Sequence, residues 1–410
     1  MMIGRNTIKK MRKIFAMMLV IALIVPVSTI PTKAIEKTWC DPFEFVVEDG
    51  VLVNVGDSWS HFNVPKGVTK IGDYAFYYGE YYGEQLELDY CLVESVTIPD
   101  GVTSIGKGAF RNCRNLKKIT IPDSVTSIGK GAFMNCTSLT EVTLPAHLKS
   151  IEGDLFKNCR SLKKITIPDG VTVIKKGAFN SCRKLKSVKI PDRVTKIEDL
   201  AFRYCTSLKE ITLPQRLKQI GNSAFAFSSI TNITIPNSVV KMGNHTFEKC
   251  KKLTSVTLSN QLKQIGDWTF SDCCRLTSIT IPENVTSIGT SAFENCISLL
   301  EVKISGTITT IKKDAFYYCK NLRGIDLPFG LKRIEDNAFR NCQSITSLII
   351  PDSVTSVGED VVYECSSLER LSIPFDLDMN VRYLDKRCKV TYTGEEDTSD
   401  DWLNDMYDEF

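Results

Sequence analysis

Histidine is scarce in this sequence. The 410 residues contain only three, His61, His147 and His245, and these lie far apart along the chain. Imidazole is the commonest side-chain metal ligand and the most frequent general base. The chain also lacks a G-x-S-x-G elbow, a phosphate-binding loop and an H-E-x-x-H motif. We therefore expect no metal, no cofactor and no catalytic residue, and an enzyme is the last of the alternatives.

A strong net charge is also missing. The chain has 51 Lys and Arg against 48 Asp and Glu, which gives a formal charge of +3, and 43% of its residues are hydrophobic. Nucleic-acid-binding domains usually carry a marked basic excess, so we expect no nucleic-acid partner. The apolar share is too high for a disordered chain. The composition is that of a folded protein.

Long apolar runs are absent except near the N-terminus. There a basic stretch over residues 5–13 precedes an apolar run over residues 14–27. This pattern predicts a secretory signal peptide over residues 1–34, cleaved near Ala34, because the run is too short to span a membrane. A buried core helix is the alternative. No second run of spanning length follows, so we expect a secreted or cell-surface protein without a membrane span after cleavage.

A 23-residue period runs through most of the remaining chain. In one unit, Leu116 is followed by Ile119, Ile121 and Pro122, and the same spacing returns 23 residues later. One phenylalanine position recurs at residues 76, 110, 133, 156, 179, 202, 225, 247, 270, 293, 316 and 339. Twelve of the fifteen prolines also hold one place in the unit: Pro65, Pro99, Pro122, Pro145, Pro168, Pro191, Pro214, Pro236, Pro282, Pro328, Pro351 and Pro374. Such self-similarity predicts a solenoid, in which each unit buries its apolar side against its neighbours.

The spacing within one unit predicts its local structure. Leu-x-x-Ile-x-Ile is typical of a short strand whose alternate residues point inward. The proline that follows ends the strand because it has no N–H, and Pro-Asp-Ser or Pro-Asp-Gly then turns the chain. Gly-Ala-Phe-x-x-Cys predicts a short helical corner. We therefore predict an α/β repeat solenoid of 23-residue units, with a parallel β-sheet on one face and short helical corners.

The pattern L-x-x-I-x-I-P-x-x-V-x-x-I-x-x-x-A-F-x-x-C resembles the BspA-like, or treponemal-type, leucine-rich repeat family. The resemblance assigns residues 62–392 to the solenoid. The stretch Phe43–Val53 is similar to the short hairpin that often caps such arrays, with Asp49-Gly50 as its turn, and residues 35–61 are assigned to this cap. The family implies a secreted or surface protein, often one that adheres to host matrix proteins or to other cells.

Cysteine is plentiful, and fifteen in a secreted protein ordinarily indicate disulfides. Most of them, however, stand three places after the phenylalanine position: Cys113, Cys136, Cys159, Cys182, Cys205, Cys250, Cys273, Cys296, Cys319, Cys342 and Cys365, with Cys388 in the same spacing. Stacked equivalents lie about 4.8 Å apart, farther than the Cβ separation of a disulfide. We predict a column of buried free thiols, with a metal–thiolate string as the alternative. Cys40 and Cys91 stand off the column and are candidates for one disulfide.

The outward positions of the early strands are basic. The lysines concerned are Lys117, Lys118, Lys163, Lys164, Lys186, Lys189 and Lys209. Such a stripe can recognise an acidic protein segment or a sulfated glycan. The alternative is a solvated charged face that keeps a long sheet soluble. A column of threonines also runs two places before the prolines, and we interpret it as β-propensity on a solvated strand rather than as an ice-binding array.

Two segments depart from the repeat. An insertion between Phe76 and Phe110 carries Tyr78, Tyr81 and Tyr82 among glycines and glutamates. Exposed Tyr/Gly loops are typical of recognition surfaces, although a loop that merely covers the N-terminal edge is the alternative. Residues 393–410 are acidic and contain no Lys or Arg, which favours a solvated tail over a short helix that docks as an end cap.

These patterns together predict a secreted leucine-rich repeat module for binding or adhesion. Its partner is expected to be an extracellular protein or an acidic glycan, which binds the strand face of residues 94–212 and secondarily the tyrosine loop. The alternative is a passive structural or colonisation-surface protein without one specific ligand.

Overall fold

Most coils of the structure contribute two β-strands at fixed places in the repeat. In the computed structural model, the described residues are 45–56, 59–77 and 91–394, and all belong to one unit, Pro42–Phe410. They form twenty-nine strands, numbered here in chain order, and no helix. The expected signal peptide and residues 395–410 of the acidic tail lie outside the described residues.

The first strand column, here called the strand face, is built from the Leu-x-x-Ile-x-Ile segments. Its members are β3 (His61–Asn63), β5 (Ser95–Thr97), β7 (Lys118–Thr120), β9 (Glu141–Thr143), β12 (Ser187–Lys189), β14 (Glu210–Thr212), β16 (Asn232–Thr234), β18 (Ser255–Thr257), β20 (Ser278–Ile281), β22 (Glu301–Ile304), β24 (Gly324–Ile325), β26 (Ser347–Ile349), β28 (Arg370–Pro374) and β29 (Lys389–Thr393). Pairing is parallel and offset by one repeat, so that Ile119 lies opposite Val142. Alternate residues point into the core and into solvent, as the period of two requires.

The second strand column comes from the Val-x-x-Ile segments after the proline. Its members are β2 (Val51–Val55), β4 (Lys70–Ile71), β6 (Ser104–Ile105), β8 (Ser127–Ile128), β10 (Ser150–Ile151), β11 (Val173–Ile174), β13 (Lys196–Ile197), β15 (Gln219–Ile220), β17 (Lys241–Met242), β19 (Gln264–Ile265), β21 (Ser287–Ile288), β23 (Thr310–Ile311), β25 (Arg333–Ile334) and β27 (Ser356–Val357). β1 (Phe45–Glu48) pairs antiparallel with β2 and occupies the edge of this column. The two are joined through Asp49 and Gly50, which both have positive φ, as a two-residue hairpin turn requires.

The strand face is not one continuous hydrogen-bonded sheet. Residues 162–167 occupy a strand position but form no strand ladder with β9 or β12. The ladder also stops between β14 and β16, between β18 and β20, and between β24 and β26. A one-residue deletion between Ser228 and Ile230 falls directly before β16. The expected parallel sheet is therefore present as five aligned pieces.

The corner that was expected to be helical is a pair of tight turns. On either side of Phe133, Gly131 and Asn135 have φ of 63° and 65°, and left-handed residues cannot continue a right-handed helix. The N–H of Phe133 donates to the carbonyl of Leu155 in the next coil at 3.0 Å, and the side chain of Asn135 donates to that of Asn112 at 2.8 Å. The predicted helical corners are not confirmed, since the corner residues form turns that hydrogen-bond to the neighbouring coils.

Phenylalanine rings form the centre of the core. From Phe110 to Phe339, consecutive rings stack with centroids 5.1 to 5.6 Å apart and planes within 16° of parallel. All of them are fully buried. Burial of one such side chain contributes about 1.5–3 kcal/mol, so the repeated phenylalanine is a main source of stability in every coil. Val362 takes the same place near the C-terminal end and is also buried.

A column of free thiols lies beside the rings, as predicted. Cys136 donates its S–H to the carbonyl of Phe110 at 3.1 Å, and Cys205 repeats this bond to Phe179 at 3.2 Å. Burial raises the pKa of Cys205 to about 12, so it stays a thiol. Every cysteine among the described residues is free. Cys91 is one of these buried thiols, whereas Cys40 lies outside the described residues.

Candidate binding face

All seven predicted lysines are exposed on the strand face, but two of them are paired with acids. Lys117 Nζ lies 2.7 Å from Glu94 Oε2, and Lys118 Nζ lies 3.1 Å from Glu141 Oε2. A hydrogen bond from each lysine, together with its charge, lowers the pKa of the glutamate. The carboxylates offset the positive charge of these two lysines, which are therefore weaker anion-binding groups than the sequence indicated.

The other five lysines form no ion pair within the described part of the chain. We call them the lysine cluster: Lys163, Lys164, Lys186, Lys189 and Lys209. Three of the five stand in one column, since the N–H of Lys186 donates to Lys163 O at 3.2 Å and that of Lys209 to Lys186 O at 3.1 Å. Ammonium groups one strand spacing apart repel by about 1 kcal/mol even at the dielectric constant of water. A bound anion would relieve this repulsion.

Three further cations extend the lysine cluster, and the sequence analysis missed them. Arg160, Arg183 and Lys184 are exposed in the turns that lead into the same strand positions, and none has an ion pair among the described residues. The repeat register carried the signal, because all three occupy one of the two places directly before the recurring leucine. Glu210 is the one acid at an outward strand position of these coils.

The predicted tyrosine loop cannot be placed on this face. Tyr78, Tyr81 and Tyr82 lie outside the described residues. The preceding Tyr77 is described, and its ring lies 5.5 Å from that of Tyr74 and 5.3 Å from the guanidinium of Arg111. The structure thus brings together the lysines of residues 163–209 and leaves the tyrosines as a prediction.

The strand face changes character after Lys209. The nine outward positions of the next three coils carry only hydroxyl and amide side chains, here called the hydroxyl patch: Thr231, Asn232, Thr234, Thr254, Ser255, Thr257, Thr277, Ser278 and Thr280. The N–H of Thr231 donates to Lys209 O at 3.3 Å, so this patch directly adjoins the lysine cluster. The sequence analysis noted the threonine column but not the absence of charge at all nine outward strand positions of these coils.

The described residues contain no group of three or more His, Cys, Asp or Glu that could hold a metal ion. In the same residues, no helix is long and apolar enough to cross a membrane.

Comparison with known proteins agrees with the repeat. The model of the BspA type leucine rich repeat region, in six copies, matches residues 85–209, 172–300 and 286–392. The chain belongs to the BspA type leucine-rich repeat family. No curated protein matches the chain.

Solved structures of similar proteins include other leucine-rich repeat proteins. A leucine-rich repeat protein from Bacteroides ovatus ATCC 8483 is 28% identical, with 84% of this chain and 88% of that chain covered and a TM-score of 0.73. A leucine rich cell surface protein from Faecalibacterium prausnitzii A2-165 is 25% identical, with 77% and 92% covered and a TM-score of 0.43. The first of these supports the solenoid fold described above.

Proposed function

We propose that this BspA type protein is a secreted or cell-surface binding module that holds an acidic extracellular protein segment or an acidic glycan against the lysine cluster. The observation that carries the proposal is that five exposed lysines on adjacent coils have no ion pair with any described residue, while Lys117 and Lys118 are paired. Broad, regular faces are the usual binding surfaces of solenoids. The proposal includes the expected signal peptide over residues 1–34 and assigns no catalytic role.

Charge and geometry both favour an extended anionic ligand. The lysines recur once per coil, about 4.8 Å apart, so successive anionic groups of a linear chain can each meet an ammonium group. Arg160, Arg183 and Lys184 widen the positive area at the start of the strands. Contacts between ionised groups are stronger than neutral hydrogen bonds, and an exposed cluster attracts an oppositely charged partner before contact.

A charge-reversal experiment tests the proposal. The variant Lys163→Glu, Lys164→Glu, Lys186→Glu is compared with wild type for binding to immobilised heparin, chondroitin sulfate and poly-glutamate at about 0.05 and 0.3 M NaCl. We expect wild-type binding to at least one of these anions, a sharp decrease at the higher salt concentration, and at least a tenfold loss of affinity in the variant.

The control variant changes the net charge equally at another place. Lys241→Glu, Lys263→Glu, Lys332→Glu reverses three exposed lysines in or directly beside the second strand column and should retain most of the binding. Equal losses in both variants would attribute binding to net charge and contradict the proposed site. No binding to any anion would favour the passive structural alternative. Exchange of Tyr78, Tyr81 and Tyr82 for Ser, measured on the same ligands, tests the secondary contact.

A further inference from the structure

The hydroxyl patch is a run of three consecutive coils without a charged residue at an outward strand position. Its nine outward positions are Thr, Ser or Asn, in a chain of which 24% is charged. A solvated face that serves solubility alone would carry Lys and Glu, as β7 and β9 do. The patch is therefore unexplained by solubility or by the anion binding proposed above.

Part of the hydroxyl patch is free to bond to a ligand. The hydroxyls of Thr254 and Thr277 donate to backbone carbonyls one coil back, at 2.9 and 3.5 Å. Those of Thr234, Thr257 and Thr280 are exposed and have no hydrogen-bond partner in the described part of the chain. Thr234 and Thr257 are register partners on β16 and β18, and Thr280 holds the same place one repeat later, so the three hydroxyls face solvent in a row.

An open groove of about 380 Å³ adjoins this column. It lies where the ladder stops between β18 and β20: the N–H of Thr277 still donates to Thr254 O at 3.4 Å, and beyond that bond the two strands are unpaired. Val256, Leu258 and Pro282 supply the apolar part of the lining. The volume falls within the range of small-molecule sites, about 300–1,000 Å³.

The rest of the groove lining is polar and contains no cation. Thr257 and Thr280 contribute hydroxyls, Asn260 an amide, and Glu283 a carboxylate that has no ion pair among the described residues. A carboxylate without an ion pair disfavours an anionic ligand. A sugar ring offers an apolar C–H face together with hydroxyls that both donate and accept, and this combination matches an apolar floor with a rim of hydroxyl, amide and carboxylate groups.

We propose that this groove, together with the free threonine column, binds uncharged sugar residues of a polysaccharide. The site is separate from the lysine cluster and does not depend on the anion-binding function. Hydrogen bonds and apolar contact provide the binding, so the affinity does not follow ionic strength as ion-pair binding does.

Binding to uncharged polysaccharides tests this site. The probes are mannan, mixed-linkage β-glucan, xylan and galactan, each presented to the whole protein at about 0.05 and 0.5 M NaCl. We expect binding to at least one probe, unchanged between the two salt concentrations, and at least a tenfold loss of affinity in the variant Thr257→Val, Thr280→Val. Valine preserves the shape and the strand propensity of threonine but removes the hydroxyl.

Two controls separate this proposal from the previous one. Thr120→Val, Thr143→Val makes the same change in the same column beside Lys118 and should leave polysaccharide binding intact. Lys163→Glu, Lys164→Glu, Lys186→Glu should do the same, while thermal unfolding verifies that each variant is folded. The proposal is overturned if none of the four probes binds, if the control threonine pair reduces affinity as much, or if the lysine variant abolishes the binding.

Discussion

The lysine cluster and the hydroxyl patch occupy equivalent positions on consecutive coils, yet the first presents positive charges and the second presents uncharged hydroxyl and amide groups. Lys163, Lys186 and Lys209 continue directly into the column of Thr231, Thr254 and Thr277, and each backbone N–H in that series donates to the preceding carbonyl. The outward residues change from charged to neutral while the backbone keeps its register. In this solenoid, the binding chemistry of one face can therefore vary from coil to coil without a change of fold.

The interior explains why this variation is tolerated. Beneath the lysine coils, Phe202 stacks on Phe225 at 5.6 Å, and beneath the hydroxyl coils Phe247 stacks on Phe270 at the same distance. All four rings are fully buried. Since the inward residues supply the stability of each coil, the outward ones need only be compatible with a strand.

Truncation of the core should affect the two regions equally and by the largest amount. We expect Phe202→Ala and Phe270→Ala each to lower the free energy of unfolding by about 3–5 kcal/mol, because each leaves a cavity between stacked rings. Chemical denaturation of each variant measures the change. A loss in one variant several times smaller than in the other would show that the two regions do not share one kind of interior.

The repeat itself was readable from the sequence because its signal lies in residue spacing. The period of 23, the inward Ile119 and Ile121 and the buried thiol of Cys136 follow from periodicity alone, and the structure has them as predicted. The helical corner is not confirmed because Gly131 and Asn135 adopt left-handed backbone conformations, and both are residue types that favour that region.

The candidate sites depended on information that periodicity does not carry. The charge of Lys117 is offset only because Glu94 lies one coil back in the same column. Lys117 Nζ and Glu94 Oε2 are 2.7 Å apart. The groove depends on where β18 and β20 cease to pair, and neither strand has an unusual sequence at that point. Composition located the basic stripe, and the structure divided it into paired and unpaired lysines.

Neutralising the acids that pair with Lys117 and Lys118 should change the affinity for heparin less than substituting the unpaired lysines. In Glu94→Gln, Glu141→Gln, the two carboxylates that offset Lys117 and Lys118 become neutral, so the positive area extends toward the N-terminal coils. Because exposed ion pairs are worth about 0–1 kcal/mol, we expect heparin affinity to rise about two- to fivefold at low salt. Isothermal titration calorimetry measures the affinity, and Glu301→Gln, Asp326→Asn, beyond the hydroxyl patch, is the control that removes the same number of negative charges. An unchanged or lower affinity would mean that the pairing does not limit anion binding.

The salt dependence of heparin affinity tests the lysine cluster most directly. The logarithm of the association constant is measured against the logarithm of NaCl concentration for wild type and for Lys163→Gln, Lys186→Gln, Lys209→Gln. Each cation that contacts a polyanion contributes a slope of about one, so the triple variant should have a slope that is shallower by about three. The same slope in both proteins would contradict a binding site at these lysines.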